Sequence, residues 1–427
     1  MPSRFTVFSD PVHGFISIPR NVQLNLIGTP EVQRLRRIRQ LGVGYMVFPG
    51  AEHSRFGHAL GATALMHDTL ASLAEKGIPI SADEHAAGCI AALAHDVGHG
   101  PFSHTLENEL MEGFHHEAMS RVLLSHFGQR FGSLLDQALA IFDGTYDRPF
   151  FHELVSSQLD MDRLDYLRRD SYYTGVVEGR VGVERIIKTL TVAPRDGREH
   201  LAIEAKGVYA VENFLVSRRL MYWQVYLHKT VLAGDQVLRS LVRRAREHFA
   251  EGRSSAVEGV APAFGYFLSR AVPADSIAHP DVRQHYCDLD DADILYSIKR
   301  WTRSNDPILA DLANRFLHRR FFRVAFVERR PDVTALDEWR GRVADFLVES
   351  GLSNRAHATT DAGYYLSTHA ARHTAYDRAH EPISVLGRDG TLTELTASGE
   401  SPTIGVLAHG EVRPFVSHPK EVQLPIP

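Results

Sequence analysis

The chain has 427 residues, of which 44% are hydrophobic and 23% charged, the balance of an ordinary globular protein with a sizeable core. A formal net charge of −5 excludes wholesale coating of nucleic acid while leaving local basic pockets open. Two cysteines, Cys89 and Cys287, exclude a disulfide framework. The start, Met1-Pro2-Ser3-Arg4-Phe5, has no secretory core, and no apolar run is long enough to span a bilayer, so the expected compartment is the cytoplasm. Length allows about three domains, or one large helical domain with a smaller appendage. The sequence holds 24 histidines, and their abundance alone identifies no site.

In chain order, Thr6 to Ile18 reads as two short strands around a turn at Asp10-Pro11. Thr29 can cap a helix with Pro30 in its first position and Glu31 in its first turn. Val32, Leu35, Ile38 and Leu41 then share one side, and Arg34, Arg36, Arg37 and Arg39 spread over the others as a solvated face. Gly42 and Gly44 end that element. A loop from Phe48 leads to His58, which opens a helix closing near Gly77. A lone histidine there is either a core or capping group or one that faces a pocket.

Ser81 with Glu84 reads as a capping box, followed by the apolar run Cys89, Ile90, Ala91, Leu93, Ala94 and Val97. Gly98, Gly100 and Pro101 stop the helix. His95 and Asp96 therefore sit near the carbonyl end of a core helix, where buried polar side chains demand partners or a metal. Adjacent helical residues point about 100° apart, so both reach one ion only if it lies over the ridge between them. Other ligands must then come from elsewhere. Gln158 to Asp170 is helical by pattern, with Asp162, Tyr166 and Asp170 on one face. That face is an exposed array of ion pairs or, beside the histidine cluster, a site wall. Arg218 to Lys229 reads as one helix with Arg218, Tyr222 and Tyr226 on one side, as core packing or as a pocket wall. Asp306-Pro307 starts a helix through Phe316, and Phe321 to Val327 is strand-like. Asp337 to Glu349 is helical, and Tyr364 to Thr368 and Ile383 to Leu386 read as strands. The expected fold is mostly α, with a helical domain over 1–330 carrying short N-terminal strands and a smaller α+β region over 331–427. The end, Leu424-Pro425-Ile426-Pro427, carries no chemistry.

Several segments carry a family resemblance. Asp10-Pro11-Val12-His13-Gly14, Gln33-Arg34-Leu35-Arg36, Phe48-Pro49-Gly50-Ala51, Arg55-Phe56-Gly57-His58, His95 to His104 and Asp162 to Asp170 follow the order of the HD-domain deoxynucleoside triphosphate triphosphohydrolases. The sequence is most similar to the branch containing the human SAM and HD domain protein and its bacterial relatives. The resemblance covers about residues 5 to 330 and implies an HD-domain helical core, without a SAM domain. It implies that His58, His95, Asp96 and Asp162 are metal ligands. Two imidazoles and two carboxylates favour iron, manganese, zinc or nickel, with magnesium accompanying the triphosphate. The implied reaction is attack of metal-activated water on the α-phosphorus, giving a deoxynucleoside and inorganic triphosphate.

The resemblance also implies roles around that ion. His104 stands beside the scissile bond as general acid to the 5′-oxygen, Glu107 orients it, and His116 closes this cluster. Arg55, His99, Arg163 and Arg218 are implied to hold the triphosphate, which demands several cationic donors. Tyr226, with Tyr222 on the same side, is implied to meet the sugar. Gln40, Leu41, Tyr166 and Asp170 match positions that recognise the 3′-hydroxyl and crowd the 2′-carbon, which disfavours ribonucleotides. Glu107 replaces the more usual Asp, and Arg163 replaces a Lys. The family implies a homodimer or homotetramer with a regulatory guanine nucleotide between subunits. Thr6 and Gly28 replace the Lys and Asp that read that nucleotide, although Gln33 and Arg36 persist, so activation is expected to be absent or altered. Two alternatives are an HD phosphohydrolase acting on a cyclic, alarmone or single-stranded nucleic-acid phosphodiester, and a non-catalytic nucleotide sensor.

Overall fold

The computed structural model describes residues 4–398 and 403–426; Met1 to Ser3 and Pro427, at the ends of the terminal stretches noted above, lie outside the described residues. The N-terminal strands β1 (Phe5–Asp10) and β2 (Gly14–Pro19) pair as an antiparallel hairpin. Asp10 Oδ1 accepts from the backbone N–H of Val12 and His13 at 2.9 Å each, which makes the turn that Asp-Pro favours. The body of the molecule is helical. At its centre, Arg55–Glu75 packs against Ala82–Ala94 and Met161–Thr174, and Ala82–Ala94 packs in turn on Ser133–Phe142. From Ala87 onward every residue of Ala82–Ala94 is buried, as an all-round apolar sequence requires. Its capping box forms as expected: Ser81 Oγ accepts from Glu84 N at 3.2 Å, and Glu84 Oε2 from Ser81 N at 2.8 Å.

One glycine sets how closely two of these helices approach. A Cβ on Gly61 would lie 1.9 Å from Asp165 Oδ1 and 2.4 Å from Arg169 Nη2. The bare backbone therefore lets Met161–Thr174 lie against Arg55–Glu75, which brings His58 and Asp162 together.

Two helices differ from the sequence expectation. The one opening at Pro30 ends at Arg34, tightens into a 3₁₀ turn over Leu35–Arg37, and becomes extended at Ile38 (φ −117°, ψ 116°). Ile38 O accepts from Arg55 N, and Gln40 N donates to His53 O, so Ile38 to Gln40 runs beside His53 to Arg55. The tertiary pairing outweighs the helical period and carries Gln40 and Leu41 to the centre of the molecule. The arginines of this stretch are not one solvated face. Arg34 is fully buried and donates to Val97 O at 3.0 Å and Leu289 O at 3.1 Å, while Arg39 pairs with Glu52 and Asp291. Arg218 to Lys229 is likewise not one helix. Val208–Met221 passes into a π-helical turn at Tyr222–Tyr226, and a new helix, Lys229–Ala250, follows. Such turns are frequent at functional sites.

The remaining strands are β3 (Leu190–Arg195), β4 (Arg198–Glu204), β5 (Arg323–Phe326), β6 (Ser367–His373), β7 (Ser384–Leu386), β8 (Leu392–Glu394) and β9 (Glu411–His418). Among the described residues they form two sheets, ordered β3-β4-β7-β8 and β5-β9-β6, in which only the β4–β7 pair is parallel. Both sheets join strands from before and after residue 330, and Ile203, Phe321, Tyr376 and Val385 belong to one continuous core. Among the described residues, no helix is long and apolar enough to cross a membrane.

Gly61→Ala should destabilise the chain by at least about 1–3 kcal/mol, the usual range for overpacking, because the added methyl collides with a buried ion pair. Thermal unfolding checks this. An unchanged midpoint would mean that the two helices can separate without loss.

Candidate active site

The three central helices each deliver polar groups to one point. His58 lies in the first turn of Arg55–Glu75, His95 and Asp96 directly follow Ala82–Ala94, and Asp162 lies in the first turn of Met161–Thr174. His58 Nε2 is 3.2 Å from His95 Nε2 and 3.0 Å from Asp162 Oδ1, and His95 Nε2 is 3.5 Å from Asp162 Oδ1. Donor atoms of these three side chains lie within 4.8 Å of one another, close enough to hold a metal ion. Asp96 joins them, with Oδ2 3.6 Å from His58 Nε2 and Oδ1 3.4 Å from His95 Nε2, and it also pairs with Arg55.

Both imidazoles are oriented from behind. His95 Nδ1 lies 2.7 Å from Ala92 O, which can only accept, so Nδ1 carries a proton and Nε2 is the nitrogen turned to the other ligands. His58 Nδ1 donates to Asp165 Oδ2 at 2.7 Å. Asp165 is fully buried and also meets His13 Nε2 at 2.6 Å and Arg169 Nε at 2.9 Å; Arg169 continues to Asp10 at 2.8 Å. Burial disfavours the Asp165 carboxylate, yet Arg169, His13 and His58 hold its pKa well below the usual range. Burial likewise disfavours a charged His58, but its bonds to Asp162 and Asp165 push its pKa up to about 10, and a bound cation would displace that proton.

A second cluster adjoins the first. His104 Nδ1 is 3.2 Å from Glu107 Oε2, and His116 Nδ1 is 2.8 Å from Glu107 Oε1. His99 stacks on His116 with ring centroids 3.6 Å apart, and its Nε2 lies 3.4 Å from Asp96. Burial, then Arg55 and His116, hold the His99 pKa well below its ordinary value, so this imidazole is neutral. Burial opposes ionisation of Glu107, but His104 and His116 pull its pKa far below the usual carboxylate range. The His104 side chain is 70% exposed and Glu107 only 9%. The segment entering His104 is strained, since Phe102 and Ser103 have φ of 52° and 50°. Asp291 Oδ1 accepting from Phe102 N, and Arg55 donating to Ser103 Oγ at 2.7 Å, hold it there.

Both clusters open on a cavity of about 520 Å³, whose wall includes Asp96, Asp162, His104 and His116. Of the expected substrate groups, Gln40, Leu41, Arg55, His99, Arg163, Tyr166, Asp170, Tyr222 and Tyr226 line it too. Arg218 does not: its Nη1 donates to Gln158 Oε1 at 2.9 Å and Ala375 O at 3.1 Å, so the guanidinium is committed to the interior. Tyr222 keeps its place one turn beyond Arg218, its N–H bonding Arg218 O, and the π turn begins there. Its ring stacks on His373 of β6 at 3.9 Å. Tyr226 O–H donates to Asp170 Oδ2 at 2.7 Å, and His53 Nε2 meets Asp170 Oδ1 at 2.7 Å. Arg163 pairs with Asp160, and Gln40 Oε1 is buried with no hydrogen-bond partner among the described residues.

Sequence reasoning passed over His13, His53, Asp165, Arg169, Asp235 and His373. Asp165 had a usable signal, lying one turn beyond Asp162 on the same helix. Asp235 accepts from Thr105 Oγ1 at 2.7 Å in the cavity wall, and burial pushes its pKa up to about 6. For His53, His373 and Asp235, no local pattern announces the contact.

The HD associated region family matches residues 181–261. An uncharacterized Bacillus subtilis protein, YwfO, is 34% identical over 408 residues, covering 91% of this chain and 87% of its own length. The deoxynucleoside triphosphate triphosphohydrolase SAMHD1 of Xenopus laevis is 26% identical over 349 residues, and the match spans 70% of this chain but 55% of that protein. A phosphohydrolase from Bacteroides thetaiotaomicron superposes with a TM-score of 0.89 at 38% identity, covering 97% of this chain and 99% of that one.

Asp165→Asn should weaken binding of a divalent ion by about 10–100-fold, because the group that aims His58 is altered while the inner side chains stay intact. Titration of the metal-free chain measures this, and unchanged affinity would remove Asp165 from the site. By its helical core, its central His-Asp pair and its likeness to YwfO and the Bacteroides enzyme, the chain belongs to the HD-domain phosphohydrolases.

Proposed function

We propose that the chain hydrolyses deoxynucleoside triphosphates to deoxynucleoside and inorganic triphosphate. The observation that carries this reading is one shared cavity, in which two His-carboxylate clusters meet a wall of tyrosines and an unpartnered glutamine oxygen. His58 Nε2, His95 Nε2, Asp162 and Asp96 fit a divalent transition metal: Nδ1 of each imidazole is held by an acceptor, and the carboxylates supply charge. When bound, such an ion polarises phosphoryl oxygens and acidifies water.

The side chains around it divide the remaining work. Glu107 holds His104 by Nδ1, so Nε2 is the atom that can pass a proton to the departing 5′-oxygen, and the adjacent carboxylate stabilises the imidazolium that does so. Arg55 and Arg163 supply positive charge for the triphosphate even though each already meets a carboxylate. Arg218 is read as bracing Tyr222 rather than touching phosphate, its guanidinium carbon lying 5.9 Å from that ring. Gln40 Oε1 is an acceptor awaiting a donor, which a 3′-hydroxyl provides. Leu41, Tyr166 and Tyr226 close the sugar slot, so a 2′-hydroxyl would be crowded and unpaired.

Regulation by guanine nucleotide is read as absent. Thr6 and Gly28 bring no charge, and the side chain of Gln33 is already engaged, donating to Ile27 O at 2.8 Å and accepting from Arg36 Nε at 2.9 Å.

The test is product analysis of the metal-loaded chain with each dNTP. Inorganic triphosphate and deoxynucleoside are expected, and His104→Ala should keep its metal yet lose about 10²–10⁴ in kcat. Diphosphate or monophosphate as the product, or nucleotide bound without turnover, would contradict the reading. Adding GTP or dGTP should leave the rate with each dNTP unchanged; a strict GTP requirement would overturn the regulatory part alone.

A further inference from the structure

His104, Glu107 and His116 form a second group of donors whose ligand atoms lie within 4.8 Å of one another. We propose that this group is a second metal site, separate from the His58–His95–Asp162 centre, and that it takes zinc. All three neighbouring imidazoles turn the same atom toward one carboxylate. His104 Nδ1 is 3.2 Å from Glu107 Oε2, His116 Nδ1 is 2.8 Å from Glu107 Oε1, and His99 Nδ1 is 3.7 Å from that same oxygen. His99 is 98% buried, and its Nδ1 has no hydrogen-bond partner among the described residues. A buried ring nitrogen left without a partner is unfavourable, and a cation held by the other two rings and Glu107 would face its lone pair.

Two imidazoles and one carboxylate are a ligand set that zinc takes while keeping a position open for water. The exposed side of His104 supplies that opening. His116 could also serve a group with Asp96 and His99, and Glu107 is the residue that tells the two placements apart.

Zinc at this position would hold His104 and Glu107 as ligands. On the hydrolase reading above, the proton donor is then no longer available. The second zinc is therefore an inhibitor, and it lowers turnover by about 10²-fold or more, the contribution ordinarily made by such an acid.

The decisive experiment counts zinc bound to the metal-free full chain by equilibrium dialysis and metal analysis. Two ions per chain are expected in the unaltered protein, and one in Glu107→Gln. His104→Ala, at an exposed position where folding is not at stake, should weaken only the second ion, by about tenfold or more. Asp162→Asn should weaken the other one. A single zinc in the unaltered chain, or two retained in Glu107→Gln, would overturn the proposal. The count does not depend on the triphosphohydrolase reading. If two ions bind as described but no dNTP is cleaved with only the first ion loaded, the site stands and the reading falls.

Discussion

The buried carboxylate of Asp165 is the constraint around which the centre of the molecule is arranged. It bonds His58, His13 and Arg169 at once, and Arg169 extends the array to Asp10 in the turn of the N-terminal hairpin. An ion pair this deep is weak evidence of added stability, because desolvation offsets its attraction. What it fixes is direction: His58 can point only one nitrogen at the cavity. Gly61 makes the arrangement sterically possible by leaving room where any Cβ would strike Asp165. The hairpin, the two longest central elements and the candidate metal centre are therefore one mechanical unit.

Around that unit, the cavity wall comes from segments that are irregular for tertiary reasons. Ile38 to Gln40 leaves the helix to pair with His53 to Arg55, and the π turn at Tyr222–Tyr226 carries two tyrosines of the wall. Phe102 and Ser103 adopt left-handed backbone angles on the way into His104, held by Asp291 and Arg55. Strain of this kind persists only where several contacts over-determine it, and here it delivers an exposed imidazole beside a buried carboxylate.

Much of this was legible in the sequence. Capping by Ser81 and Glu84, the apolar run to Val97 and the glycine stops fixed His95 and Asp96 at a buried helix end, because caps and periodicity are local signals. The i, i+4 spacing correctly put Asp162, Tyr166 and Asp170 on one face. The misses share one cause. Arg34 reads as a solvated charge until the carbonyls of Val97 and Leu289 are seen to surround it. Arg218 reads as a phosphate ligand until Gln158 and Ala375 are seen to hold its guanidinium. Contacts between residues more than a hundred positions apart, such as Tyr222 with His373, have no period to betray them.

On the proposed ligand set, His58, His95, Asp96 and Asp162 enclose one ion. Anomalous scattering from crystals of the manganese-loaded chain would locate it. A peak is expected about 2.0–2.3 Å from Nε2 of His58 and His95 and from the Asp162 carboxylate, with Asp96 completing the set. A peak elsewhere, with no density between these four side chains, would overturn it.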